Sequence, residues 1–189
     1  MTIAFTGTAS TGKTTLIKEL YKNNEFNQFK LEFLTTDARS ILDSLGFKQM
    51  DFMTKFQTKQ FQEIYFQKKI KNEIDKDNII VDRSFVDVAS YWLIRECENN
   101  VALAGKLIED SCKQSKKYDL HFYFPYGIIP FEDDGYRSRN ESQRKQIGEQ
   151  IKKFLDEWGI KYVLLDTDDL DEKVGIVISQ LRFLTRKYE

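Results

Sequence analysis

A short apolar run that breaks straight into glycines and hydroxyls limits this chain more than any other feature. "TIAFTG" leads into "TASTGKTTL", so that Gly7-Thr8-Ala9-Ser10-Thr11-Gly12-Lys13-Thr14 satisfies G-x-x-x-x-G-K-[ST] at every fixed position. Glycine lets a backbone curl until successive N–H groups point inward at phosphate oxygens, and a following helix adds the positive end of its dipole. Lys13 then reaches the β- and γ-phosphates, and the Thr14 hydroxyl binds Mg²⁺. With Thr15 at its end, Gly7 to Thr15 (Gly7, Thr8, Ala9, Ser10, Thr11, Gly12, Lys13, Thr14 and Thr15) forms the expected triphosphate site.

The pattern continues in the same style. After a helix from about Lys13 to Lys22, "KLEFLTT", "NIIVD", "DLHFYF" and "KYVLLDT" read as further short strands. Helical spacings fill the intervals: Ala38 to Leu45 stopped by Gly46, a long segment from Phe52 to Ile74, Val86 to Glu96, Ala102 to Lys113, Ile147 to Trp158 stopped by Gly159, and Val174 to Leu184 capped by Asp168 or Asp169. Aromatic residues between Phe52 and Phe66 are expected in the core, with one or two free to stack on a flat substrate ring. Apolar strands alternating with helices predict an α/β chain: a three-layer fold with a five-stranded parallel sheet and helices on both faces. The 189 residues suit a single domain over 1–189. Both prolines, Pro125 and Pro130, fall in one segment with Gly127 and Gly135, which predicts a lid over about 125–145.

In such sheets ligands bind beyond the carboxyl ends of the strands, so the polar residues after each strand are the candidates. The third strand ends in Asp82-Arg83-Ser84. An acid there serves the shell of Mg²⁺ or takes a proton from an attacking hydroxyl, unless it merely caps the next helix. Arg83 pairs with a substrate phosphate or with Asp82 itself. The second strand ends in Thr35-Thr36-Asp37-Ala38-Arg39. Asp37 there caps a helix or meets substrate. Arg39 sits in a first turn that does not favour a cation, which points to a ligand or a buried carboxylate. Asp37, Arg39 and Arg83 are thus the candidate acceptor-binding residues. Asp166-Thr167, after the last strand, are candidates to lie near an adenine. "FEDDGYRSRNESQR" brings Arg137, Arg139 and Arg144, whose planar forks suit the charge spread over a moving phosphoryl group.

Composition excludes several classes. A net charge of -1 argues against duplex DNA as partner. Two cysteines far apart, Cys97 and Cys112, make neither a zinc site nor a disulfide framework, and the single histidine, His121, inside a strand, suits a satisfied core position better than catalysis. No signal peptide and no eighteen-residue apolar run are visible, so a cytoplasmic protein without membrane contact is expected.

Taken in order, "GTASTGKTTL", the arginine in "DARSIL", "IIVDRSFVDVASYW", "DGYRSR" and "IKYVLLDT" resemble the P-loop kinase-like family (AAA_28 type) typified by the ribosylnicotinamide kinase domain of the bacterial NAD regulator NadR. More distantly the chain is similar to deoxynucleoside and thymidylate kinases. The most diagnostic element is Asp134-Gly135-Tyr136-Arg137. The resemblance implies a P-loop NTPase fold and an ATP- and Mg²⁺-dependent kinase acting on a nucleoside- or nucleotide-like small molecule. It implies Lys13 and Thr14 as phosphate and magnesium groups, Asp82 as base, and Arg137 as a lid arginine; Arg139, from the same segment, is expected to close over the γ-phosphate with it. Thr36 stands where the family tends to carry an acid, with Asp37 beside it. Single-domain members in bacteriophages, some acting on modified pyrimidines such as hydroxymethyluracil in DNA, make that an alternative activity. A P-loop ATPase switch is the rival from outside the kinases.

Overall fold

The computed structural model describes residues 1–133 and 135–186. Its five strands are β1 (Thr2–Thr6), β2 (Glu32–Thr35), β3 (Ile79–Asp82), β4 (Leu120–Tyr123) and β5 (Tyr162–Leu164). All their pairings are parallel, and they stand in the order β2-β3-β1-β4-β5. The glycine loop therefore leaves the central strand, with the exit of β3 on one side and that of β4 on the other. The helices are α1 (Lys13–Leu20), α2 (Asn24–Gln28), α3 (Ala38–Ser44), α4 (Lys55–Glu73), α5 (Phe85–Ile94), α6 (Val101–Ser115), α7 (Glu141–Glu157) and α8 (Leu170–Arg186).

Alternation along the strands explains the three layers. Ile3, Phe5, Ile80, Leu120 and Phe122 meet Leu16 and Leu20 of α1, Phe26 of α2 and Val177 and Leu181 of α8. Ala4, Ile79, Val81 and Tyr123 face the opposite layer, where Tyr123 joins Val86, Ala89, Ile147 and Ile151 of α5 and α7. Each fully buried side chain of this size contributes roughly 1.5–3 kcal/mol, so both helical layers are fastened to the sheet by burial rather than by propensity. This is the α/β architecture that the sequence pattern predicts.

Three local expectations change. The long helix does not begin at Phe52. Met50–Phe52 is a 3-10 turn, and Thr54 starts α4 with a capping box to Gln57. Phe61, Tyr65 and Phe66 are buried as expected, but Phe52 and Phe56 are 73% and 68% exposed, so neither is a core residue. At 100° per residue Phe56 lies about 140° around the helix from Phe61 and faces away from the core. The segment after β4 is irregular only to Asn140, because Asn140 caps α7 through Gln143 N; the last five residues of the expected lid are helix. Asp169, rather than Asp168, caps α8. No helix among the described residues is long and apolar enough to cross a membrane.

His121 is fully buried in β4. Its Nε2–H donates to the Ser115 carbonyl at 3.1 Å, which leaves Nδ1 to accept from Thr6 Oγ1 at 2.9 Å. Burial holds its pKa down at about 4, with the nearby Lys69 charge acting the same way against the Ser115 bond. The unfolded chain, at about 6.5, takes up the proton first. The stability conferred is full above pH 6.5 and is lost as pH falls from 6.5 to 4, by about 3 kcal/mol. Urea midpoints are expected to drop across that window, and His121→Phe to flatten the drop; an equally steep fall in the variant would assign it to other groups.

Candidate functional site

Lys13 is only 5% exposed, and its Nζ donates to Gly7 O at 2.7 Å, Thr8 O at 2.7 Å and Thr11 Oγ1 at 3.0 Å. The lysine thus ties the loop's first turn to its last. Burial lowers its pKa, aided by Arg83 and opposed by Asp82, Asp87 and Tyr91. Contact requires glycine at position 7, where a Cβ would lie 2.6 Å from the Phe124 carbonyl oxygen, and the backbone favours it at position 12, where φ is 85°. The loop is anchored from a direction the sequence did not suggest. Gly7 N–H donates to Asp87 Oδ1 at 2.9 Å, while Asp87 Oδ2 accepts from Ser84 N and Ser84 Oγ at the start of α5. The Tyr91 hydroxyl accepts from Ala9 N at 3.2 Å and lies 3.3 Å from Thr8 Oγ1.

At the exit of β3, Thr14 Oγ1 donates to Asp82 Oδ2 at 3.0 Å, whereas Asp82 Oδ1 is buried with no partner among the described residues. Ser84, not Asp82, caps α5. A hydroxyl and a carboxylate with a spare lone-pair oxygen are hard oxygen donors that suit Mg²⁺, which takes one or two protein ligands and completes its shell with phosphate and water. Among the described residues no cluster of three or more His, Cys, Asp or Glu is arranged to hold an ion alone.

Arg83 adopts φ 75°, a left-handed conformation that costs a side-chain-bearing residue free energy. It is held there by its N–H on the Phe5 carbonyl at 2.9 Å and by buried Lys69, which donates to the Arg83 carbonyl at 2.6 Å and pairs with Glu73. The turn aims the Arg83 guanidinium at the Tyr91 ring, 5.0 Å from its centroid, rather than into a pair with Asp82. Arg95 covers the same ring at 4.6 Å. Burial raises the Tyr91 phenol, but Arg83, Arg95 and the Thr8 bond outweigh it and bring the pKa down to about 8.

Two cavities open here. One, of about 250 Å³, is lined by Ala9 to Thr15, Ile129, Pro130, Asp168 and Lys173; the other, of about 430 Å³, lies between the exits of β2 and β3 under α4 and α7. They share Ala9, Thr14, Asp82, Arg83 and Arg137. Arg137 donates to Ser10 Oγ and to Glu132 O, both at 2.9 Å, so it reaches the glycine loop. Asp37 and Arg39 line the larger cavity; Asp37 also caps α3 through Ser40 N at 3.1 Å, and Arg39 lies 5.2 Å from the Tyr136 ring centroid.

Arg139 is not brought to the site. It lines neither cavity, its guanidinium pairs with Asp133 at 2.6 Å, and its N–H is held by Asp51. Arg144, by contrast, is buried on α7 beside the larger cavity, 3.6 Å from the Phe131 ring centroid, with Nε unpartnered among the described residues. Asp166 and Thr167 line neither cavity; Asp168 does. Asp134, the first residue of the D-G-x-R element, lies outside the described residues. Sequence reasoning missed Asp87, Tyr91, Arg95, Lys173 and Gln62, an amide 3% exposed on the wall of the larger cavity. Only Asp87 left a trace, in the S-x-x-D spacing of a capping box.

The AAA domain family (AAA_28) matches residues 2–173. The chain belongs to that family. Among curated proteins no sequence matches this AAA_28 member. Solved structures share its fold. Deoxyadenosine kinase from M. mycoides, with the products dCMP and dCDP bound, superposes with a TM-score of 0.66 at 15% identity over 96% of this chain and 99% of its own. Thymidylate kinase from Ehrlichia chaffeensis gives 0.65 at 14%, over 96% and 98%. NadR in complex with NAD and AMP-PNP gives 0.63 at 20%, over 93% of this chain and 48% of its own, so this AAA_28 chain spans about half of NadR's length.

Proposed function

We propose that this chain is an ATP-dependent kinase that moves a γ-phosphoryl group onto a nucleoside- or nucleotide-like acceptor. The observation that carries this is the junction of the two cavities at Thr14, Asp82, Arg83 and Arg137. A switch ATPase needs one nucleotide cavity; a phosphotransferase needs a second that opens onto the first at the reacting phosphate.

In this reading the amides of Gly7 to Thr15 and Lys13 hold the triphosphate in the smaller cavity. Thr14 and Asp82 would hold Mg²⁺, which neutralises charge developing between the β- and γ-phosphates. Asp82, with Oδ2 engaged by Thr14, keeps Oδ1 to accept the proton of an attacking hydroxyl; an attacking phosphate is already a dianion and needs no base, and there the carboxylate would serve the Mg²⁺ shell alone. Arg137, already on the loop at Ser10, spreads its guanidinium over the transferred group. The segment 125–140 serves as lid within a single kinase domain. Its second arginine, Arg139, has no part in the chemistry while Asp133 holds it.

The larger cavity fits a nucleoside monophosphate in size. Phe61 and Tyr65 offer it apolar ring faces, and Asp37, Arg39 and Gln62 offer polar groups. Among the described residues neither Arg83 nor Arg95 forms an ion pair with a carboxylate, and both stand over Tyr91. That charge balance favours an acceptor that already carries a phosphate. ATP consumption measured with Mg²⁺ and a panel of nucleosides and their 5′-monophosphates is expected to rise at least about tenfold with one monophosphate. Stimulation by none of them, or by DNA or protein alone, contradicts the proposal.

A further inference from the structure

Lys173, in the first turns of α8, is 2% exposed. It lines the smaller cavity together with Gly12, Lys13, Thr14 and Asp168. Its Nζ stands 4.0 Å from the point a Cβ on Gly12 would occupy, at the start of α1 where the loop's amides converge. Among the described residues the ammonium has no hydrogen bond and no ion pair; Asp168 is the carboxylate whose charge reaches it. Burial lowers its pKa.

Each of these facts is unfavourable to an isolated protein. The stem is buried and the head opens into the cavity, where a cation without a close counter-charge is poorly solvated. A cation near a helix N-terminus opposes the dipole. Lysine has a flexible stem and ordinarily carries its head to water. Such a group is stabilised once an anion enters the cavity, and the anion expected beside Gly12 is a phosphate.

We propose that Lys173 is a second ammonium contact to the phosphate chain of the bound nucleotide, approaching from α8 while Lys13 approaches from within the loop. The inference rests on the kinase reading for the identity of the nucleotide and adds a residue to its binding site. One cation belongs to the loop itself; the other arrives from 160 residues later (173 against 13) because α8 packs beside α1.

Calorimetric titration of the full chain with Mg·ATP and with Mg·tripolyphosphate, for wild type, Lys173→Met and Lys173→Arg, tests this. Lys173→Met is expected to weaken both ligands by the same factor, about 10- to 100-fold, and Lys173→Arg to restore most of the affinity. Urea unfolding of Lys173→Met is expected at a midpoint no lower than wild type, since a poorly solvated charge has been removed. Should the methionine variant not fold, Lys173→Gln carries the same binding expectation. Loss for ATP with tripolyphosphate unchanged assigns Lys173 to the base or sugar and overturns the proposal. Equal binding by wild type and variant overturns it too, and so does lost stability that accounts for the lost binding. A wild type that binds neither ligand overturns the kinase reading itself, an outcome distinct from the other three.

Discussion

Lys13→Ala is expected to lower phosphoryl transfer by about 10²–10³-fold or more, the cost of removing one preorganised charge from a phosphoryl-transfer site. The structure adds a second effect to the lost contact with the β- and γ-phosphates. The same ammonium satisfies the Gly7 and Thr8 carbonyls and Thr11 Oγ1. Alanine leaves those acceptors without their donor and loosens the loop that the phosphates must find formed. Both kcat and nucleotide affinity are therefore expected to fall. The hydrophobic layers do not depend on Lys13, so circular dichroism and the urea transition are expected to stay those of a folded chain. Unchanged turnover would remove the loop from the chemistry.

Asp82→Asn separates binding from catalysis. Asparagine keeps an oxygen for the Thr14 hydroxyl, at 3.0 Å in the wild type, and loses only charge and basicity. Because Ser84 and Asp87 form the capping box of α5, the substitution does not touch that helix start. The expected result is a kcat lower by about 10²–10⁴-fold, with nucleotide affinity falling far less. A kcat within about threefold of wild type, with nucleotide affinity unchanged as well, would show that Asp82 is neither base nor part of the metal shell. A loss confined to affinity would keep it as a metal ligand alone.

The curled glycine loop and the place of Asp82 beside it were legible because both are set by spacing along one chain segment. Gly7 and Gly12 let the backbone curl between a strand that enters and a helix that leaves, and Lys13 and Thr14 follow at fixed offsets. Asp82 ends an apolar strand, and parallel sheets put their sites at such ends. Asp87 and Tyr91 belong to α5, yet their polar atoms serve Gly7 and Ala9 of β1's exit. That partnership exists only once β1 and β3 pair. Lys173 depends likewise on α8 lying against α1. The lid arginines show the reverse difficulty: Arg137, Arg139 and Arg144 look alike in sequence. The register of α7 buries Arg144, Asp133 captures Arg139, and only Arg137 reaches Ser10. Phe56 has the apolarity of Phe61, and the helix start at Thr54 alone decides that it faces solvent.

Following the label from γ-³²P-ATP is the most direct test of a phosphoryl group crossing between the two cavities at Asp82. With Mg²⁺ and a nucleoside monophosphate that stimulates turnover, the label is expected on the acceptor, in an amount equal to the ADP formed. Label recovered only as orthophosphate, at a rate indifferent to every nucleoside and nucleotide offered, would contradict the account.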